Sequence, residues 1–173
     1  MDPLLPDVAH EFRRHKSLAD RALADLSDEQ FFRRPGEPVN PVALIVKHLA
    51  GNLVSRWGNL LNGDGESPLR DRDREFRLEA ADTRPELMAA WERGWQALFD
   101  ALAGLETVDL AQSIEIRGEP HTLRQALLRG ATHAAYHTGQ ILYLARWLKP
   151  EREWLTIAPG HSGLQPGTYR RPT

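Results

Sequence analysis

Apolar residues recur at helix-face spacing in four long stretches of this chain. Over 7–26, Val8, Phe12, His15, Ala19, Ala22 and Leu26 fall on one face, with Asp7 as the expected N-cap. SDEQFF (27–32) reads as a short turn of helix and RRPGEPVN as a linker. Asn40-Pro41 is a second start signal, an N-cap followed by proline at the first helical position. From there to about Leu61 the inward face carries Ile45, His48, Leu49, Asn52, Leu53, Arg56, Trp57 and Leu60, until NGDG stops the pattern. A third helix opens at Thr83, with Glu86 three residues on and Pro85 in the first turn. Its stripe is Leu87, Trp91, Trp95, Leu98, Leu102 and Leu105. Ile114 and Ile116 alternate with polar residues ahead of Arg117-Gly118, which predicts a small hairpin. Thr122-x-x-Gln125 caps a fourth helix that runs to about Leu148 and is ended by Pro150. The pattern predicts an all-α chain: one domain over 1–173, a four-helix bundle with a small β-hairpin before helix four.

Residues 62–83, NGDGESPLRDRDREFRLEAADT, form a long polar stretch. A connection of roughly twenty residues inside one domain is uncommon and more often functional than not. It can also run the whole length of a bundle, so helices two and three need not be antiparallel neighbours. Within it Arg70, Arg72, Arg74 and Arg77 alternate with Asp71, Asp73 and Glu75, which reads as a solvated, self-paired surface. The Trp57, Trp91, Trp95 and Trp147 rings are expected to fill the core or its ends. The tail from Glu153 onward is rich in Gly and Pro and is expected to drape on the body as a loop.

Composition narrows the field. Of 173 residues, 22 are Lys or Arg and 24 Asp or Glu, a net charge of −2, so no overall field draws the chain to nucleic acid or an anionic membrane. The absence of cysteine removes disulfides, Cys-type zinc sites, iron–sulfur clusters and a cysteine nucleophile. No apolar run approaches the roughly 18 residues of a membrane span. MDPLLPDVAHEF has no basic segment followed by an apolar core, so the expectation is a cytoplasmic protein without a leader.

Histidine is what remains. His133 and His137 stand four apart in the middle of the apolar stripe of helix four, beside Leu127, Gly130, Ala134 and Ile141. Residues so spaced are neighbours on one face. Two buried imidazoles need partners for both ring nitrogens, and a shared metal ion supplies one partner to each. His48 points inward from helix two, with Asn52 and Arg56 following at i+4 and i+8. A row of His, Asn and Arg is not how a plain core is built. His15 reads as a half-buried, hydrogen-bonded residue, His10 and His121 as exposed, and His161 as a loop residue within reach of a site or a partner subunit. There is no H-E-x-x-H, no helical Glu-x-x-His, no phosphate-binding Gly loop and no G-x-S-x-G elbow.

KHLAGNLVSRW (47–57), DGE (64–66), RDRDREF (70–76), HAAYHTGQILYLAR (133–146) and WLTIAPGHS (154–162) together resemble the DinB/YfiT-like superfamily, and most of all its branch of small bacterial proteins of unknown function. The similarity runs over about residues 8–163. The resemblance implies an up-down-down-up bundle with a long crossover between helices two and three. It implies one divalent metal ion, zinc or nickel, held by His48, His133 and His137, and a homodimer. Relatives in the superfamily include thiol-dependent S-transferases and a mycothiol-dependent maleylpyruvate isomerase. His161 stands where the branch usually has arginine or lysine, which leaves its role open.

Three readings compete. In the first the chain is an enzyme performing metal-dependent nucleophilic transfer or hydrolysis on a small molecule, with a low-molecular-weight thiol as co-substrate. Asn52 and Arg56 then orient the substrate, and Arg72 or another arginine of 64–76 binds a carboxylate on it. Against this, no Asp or Glu lies on the inward faces near the histidines unless Glu66, Asp73 or Glu75 folds over. In the second reading a metal stabilises a non-catalytic stress-response or binding protein. In the third the histidines are metal-free core residues.

Overall fold

Five helices and one hairpin make up the structure, a computed structural model that describes residues 4–58, 60, 67 and 70–160. The helices are α1 (Leu4–Ala24), α2 (Asp28–Phe32), α3 (Val42–Trp57), α4 (Arg84–Ala103) and α5 (Leu123–Leu148). Strands β1 (Ser113–Ile116) and β2 (Glu119–Thr122) pair antiparallel just before α5. Short 3-10 turns form at Arg74–Phe76 and Thr107–Ala111. Among the described residues no helix is long and apolar enough to cross a membrane.

The polar contacts fix the topology. Lys47, early in α3, meets Asp82, just before α4, at 2.7 Å, and Ala50 and Leu53 lie against Gly94 in mid-α4. Helices α3 and α4 are therefore parallel. Lys149, just after α5, pairs with Asp25, just after α1, at 2.7 Å, while Phe12 and Trp57 both lie against Gly130. So α1 runs parallel to α5, and antiparallel to α3 through its Phe12–Trp57 contact. The order is up-down-down-up, and the polar stretch between α3 and α4 is the long crossover. Helix α3 packs chiefly on α4 and α1 on α5; contacts of α3 with α5 and of α1 with α4 close the bundle. Phe12, Trp57, Trp91 and Trp95 are all buried and meet edge-on, at centroid distances of 5.5–6.4 Å.

Local chemistry explains most boundaries. Thr122 Oγ1 accepts from the Gln125 N–H and Gln125 Oε1 from the Thr122 N–H, at 3.2 and 2.8 Å, a complete capping box for α5. At α4 only half of the expected box forms: Thr83 Oγ1 accepts from Glu86 N–H, but the Thr83 N–H turns back to Ala81 O. The SDEQFF turn is realised as α2, capped by Ser27 and Gln30. Helix α1 already includes Leu4, so Asp7 lies in its first turn and is not the N-cap. Helix α3 begins one residue later than expected, with Pro41 as N-cap, and stops at Trp57 before Gly58; NGDG (62–65) lies outside the described residues. Trp147 is 45% exposed, not core; the Arg33 guanidinium covers one of its faces. The β1–β2 turn has Arg117 at φ 57° and Gly118 at φ 71°, the two positive values a type I′ turn needs. Gly118 meets this requirement at no cost, whereas Arg117 bears the left-handed penalty of roughly 1–2 kcal/mol.

Candidate metal centre and its cavity

The fold brings three of the seven histidines to one point. His48 projects from the middle of α3, and His133 and His137 from successive turns of α5. Their ring centroids are 4.5 Å (133–137), 4.9 Å (48–137) and 5.5 Å (48–133) apart. One nitrogen of each lies within 4.8 Å of the others. His48 and His137 are buried and His133 is half-buried.

Hydrogen bonds fix which nitrogens face inward. His48 Nδ1 is 2.8 Å from Glu75 Oε2, and His137 Nδ1 is 2.8 Å from Gln140 Oε1. A carboxylate and an amide oxygen only accept, so both rings carry a proton on Nδ1, which leaves Nε2 as the nitrogen available to a ligand. Burial, with His137, His48, Arg70 and Arg56 adding to it, pushes His133 down to about 3. Burial also pushes His137 down to about 4; the Gln140 bond offsets it in part and His48 adds to it. Both are therefore neutral at pH 7. Three converging imidazoles, two of them held by outward oxygen acceptors, fit a divalent cation, since histidine ligands characteristically donate their other N–H to such groups.

Glu75 is the residue that folds over. It is 6% exposed, and it also receives a fork from Arg70: Nε to Oε1 at 2.7 Å and NH2 to Oε2 at 2.7 Å. Burial pushes its carboxyl up, but the His48 and Arg70 hydrogen bonds outweigh this and hold it below the usual carboxylate range. So Arg70 and Glu75 do not belong to a solvated surface; burial in this crossover overrides the alternating charge pattern. Asp73 stays exposed, and Glu66 lies outside the described residues. One sequence signal pointed to this arrangement. Gly51 sits in the interior of α3, where glycine is disfavoured, and a Cβ there would collide with the Glu75 carboxylate.

A cavity of about 530 Å³ opens beside the three rings. Asn52 and Arg56 line it from α3, as do Phe76 and Arg72 from the crossover, Arg117 from the hairpin tip, and Arg129 and Tyr136 from α5. Phe76 lies against His48 at 4.6 Å between centroids, and the Arg72 guanidinium lies over its ring. The Tyr136 ring is 4.5 Å from His137. Arg117, Arg129 and Tyr136 had no role in the sequence reading, because only the packing of the hairpin on α5 brings them together. The remaining histidines stand apart. His15 is half-buried beside Glu11, with its pKa lowered chiefly by burial. His10 is exposed, and His121 bonds the Glu119 carbonyl. His161 lies outside the described residues.

Comparison with known proteins supports the fold and gives the family. The sequence profile of a family described as "Protein of unknown function (DUF1572)" matches residues 2–161. Among curated proteins no match is found. A conserved protein from Enterococcus faecalis has a similar fold, with TM-score 0.61 and 15% identity over 86% of this chain and 98% of that one. A DinB-like protein from Bacillus cereus ATCC 10987 is similar with TM-score 0.60 and 16% identity, over 85% and 91% of the two chains.

Proposed function

The chain belongs to DUF1572, a family of proteins of unknown function, and on that footing we propose that it is a metal-dependent enzyme. His48, His133 and His137 hold one divalent ion, zinc or nickel. The reaction is nucleophilic transfer or hydrolysis on a small molecule, with a low-molecular-weight thiol as co-substrate. The observation that supports this reading is the convergence of three imidazoles, at least two of them neutral at pH 7, beside a cavity of about 530 Å³. When bound, an ion with only neutral ligands supplies undiminished Lewis acidity to a thiol, water or carbonyl in that cavity. The chain's own residues do the rest. Glu75, held by Arg70, fixes the His48 tautomer, and Gln140 fixes that of His137. Asn52 and Arg56 orient the substrate, and Phe76 shields the His48 ring from water. The protein works in the cytoplasm, as a homodimer.

One observation favours a second reading, in which the ion only stabilises a stress-response or binding protein: among the described residues, no carboxylate lines the cavity to act as a general base. Metal analysis of untagged protein tests the shared premise. About one equivalent of zinc or nickel is expected, lost in His133→Ala; wild-type protein without a stoichiometric ion would remove both readings. A screen with common bacterial thiols then separates them, because only the enzyme shows metal-dependent turnover.

A further inference from the structure

Gly51, Gly94, Gly130 and Gly139 lie inside helices, where glycine is disfavoured against alanine. Three of them have a reason for it within the chain. A Cβ at Gly51 would run into the Glu75 carboxylate, one at Gly94 into the Ala50 carbonyl oxygen, and one at Gly130 into the Trp57 ring. At Gly139 a Cβ would meet nothing within 4 Å among the described residues. The close approach that explains the other three is missing from a single chain.

Gly139 lies on the outward face of α5, and that face is unlike a solvated one. From Gly130 to Ala145 the helix carries no Asp, Glu, Lys or Arg, over a length of about 22 Å. Its outward positions are Thr132, Tyr136, Gly139, Gln140, Tyr143 and, one turn on, Trp147. Tyr143 is 73% exposed, Tyr136 51% and Trp147 45%. Exposed tyrosine and tryptophan without charge mark the centre of a protein–protein contact. The pattern is also symmetric. Tyr136 stands three residues before Gly139 and Tyr143 three after Gln140, with Thr132 and Trp147 a further four out on either side. A two-fold contact needs one patch that matches itself. When a second α5 crosses antiparallel, with the axis between Gly139 and Gln140, Tyr136 meets Tyr143 of the partner subunit and the two glycines meet each other. Neutral face then meets neutral face, with no like charges opposed. The face also borders the histidines. Thr132 and Tyr136 line the cavity, and the Tyr136 ring lies 5.1 Å from His133 and 4.5 Å from His137.

We infer that a second copy of this chain docks on the outward face of α5, antiparallel about Gly139 and Gln140, and that Tyr143 of the partner subunit packs on Tyr136 to complete the rim of the histidine cavity. The tyrosines are the knobs, and Gly139 is the notch that lets the two helices approach. The contact also takes the His137–Gln140 hydrogen bond out of water. The docking stands on α5 alone. It supplies the face for the homodimer of the proposed function, and rests on that reading only for the cavity's part in catalysis.

Sedimentation equilibrium of the untagged full-length protein measures the assembly. Wild type is expected at twice the chain mass of 19.6 kDa. Gly139→Arg is expected to raise the dimer dissociation constant at least tenfold. Its circular dichroism should match wild type, because the new side chain has open space in the single chain. Val108→Arg, at a 76% exposed position outside α5, stays as dimeric as wild type. The chain has no cysteine, so Gly139→Cys introduces a lone thiol. Mild oxidation is expected to link it into a covalent dimer, since a close crossing at this position brings the two sulfurs within disulfide reach. Leu128→Cys, exposed near the start of α5, stays unlinked; parallel helices would link it as well. The inference is overturned if wild type is a monomer, whether the face is bare or covered by residues 161–173. It is equally overturned if Gly139→Arg dimerises as tightly as wild type, if Gly139→Cys fails to link, or if Leu128→Cys links as readily. A dimer without a stoichiometric ion removes the enzyme and leaves this face, and a metal-loaded monomer does the reverse.

Discussion

Two Arg–Glu pairs sit in one short stretch of the crossover, with the same spacing in sequence and opposite surroundings. Arg70 and Glu75 meet at 2.7 Å with side chains 4% and 8% exposed; Arg74 and Glu79 meet as closely, at 61% and 38%. The exposed pair has water as an alternative partner for both members, and such pairs contribute little. The buried pair has lost water, and Glu75 gains a third partner in His48. Proximity is the same in both, so what separates a surface ornament from a support of the site is desolvation plus the imidazole it steadies.

The largest effect should come from breaking the buried pair. Glu75→Ala leaves the Arg70 guanidinium buried without its carboxylate and the His48 N–H without an acceptor. A loss of about 3–5 kcal/mol in urea unfolding is expected, and metal affinity, read by chelator competition, should fall roughly 10–100-fold. Unchanged affinity would mean that Glu75 does not set the His48 tautomer.

Acid is the next probe of the interior. In the folded chain His133 and His137 sit at about 3 and about 4, against the ordinary value of 6.5. Between 6.5 and those values the unfolded chain binds protons that the folded chain refuses, so stability holds above 6.5 and is lost progressively as pH falls toward 3. Metal-free protein should therefore show a lower urea midpoint at pH 5 than at pH 7. Equal midpoints would contradict burial of neutral imidazoles.

Gly51→Ala tests the same pair from the helix side. The added methyl must displace the Glu75 carboxylate; overpacking of this kind costs about 1–3 kcal/mol, with a smaller loss of metal affinity than Glu75→Ala. Glu79→Ala closes the series: its unfolding midpoint and metal affinity should match wild type. A change comparable to that of Glu75→Ala would erase the contrast between the two pairs.

The same contrast explains what could be read from the chain. Helix faces, the Thr122–Gln125 cap, the hairpin and the His133/His137 spacing are local regularities of three, four or two residues, and the structure contains them all. His48 was legible because a polar row on an apolar helix stands out. Glu75 was only one of three acids in reach, since in a run of alternating charges no periodicity distinguishes an inward side chain from an outward one. Arg117 and Arg129 were invisible for a different reason: their neighbourhood exists only once the hairpin packs on α5. The N-terminal boundary of α1 was missed because Asp7 resembles a cap but serves as a first-turn acid, favourable to the helix dipole.

His48 and the pair on α5 lie nearly half a chain apart in sequence, on helices that meet only when the bundle closes. No partly folded form with α5 detached can offer all three nitrogens together. Any ion they bind is thereby tied to global unfolding and not to local fraying, and at a hundredfold excess over its dissociation constant it would raise the whole molecule's stability by about 2.7 kcal/mol. Occupancy of the site then serves as a gauge of whether the last helix has docked.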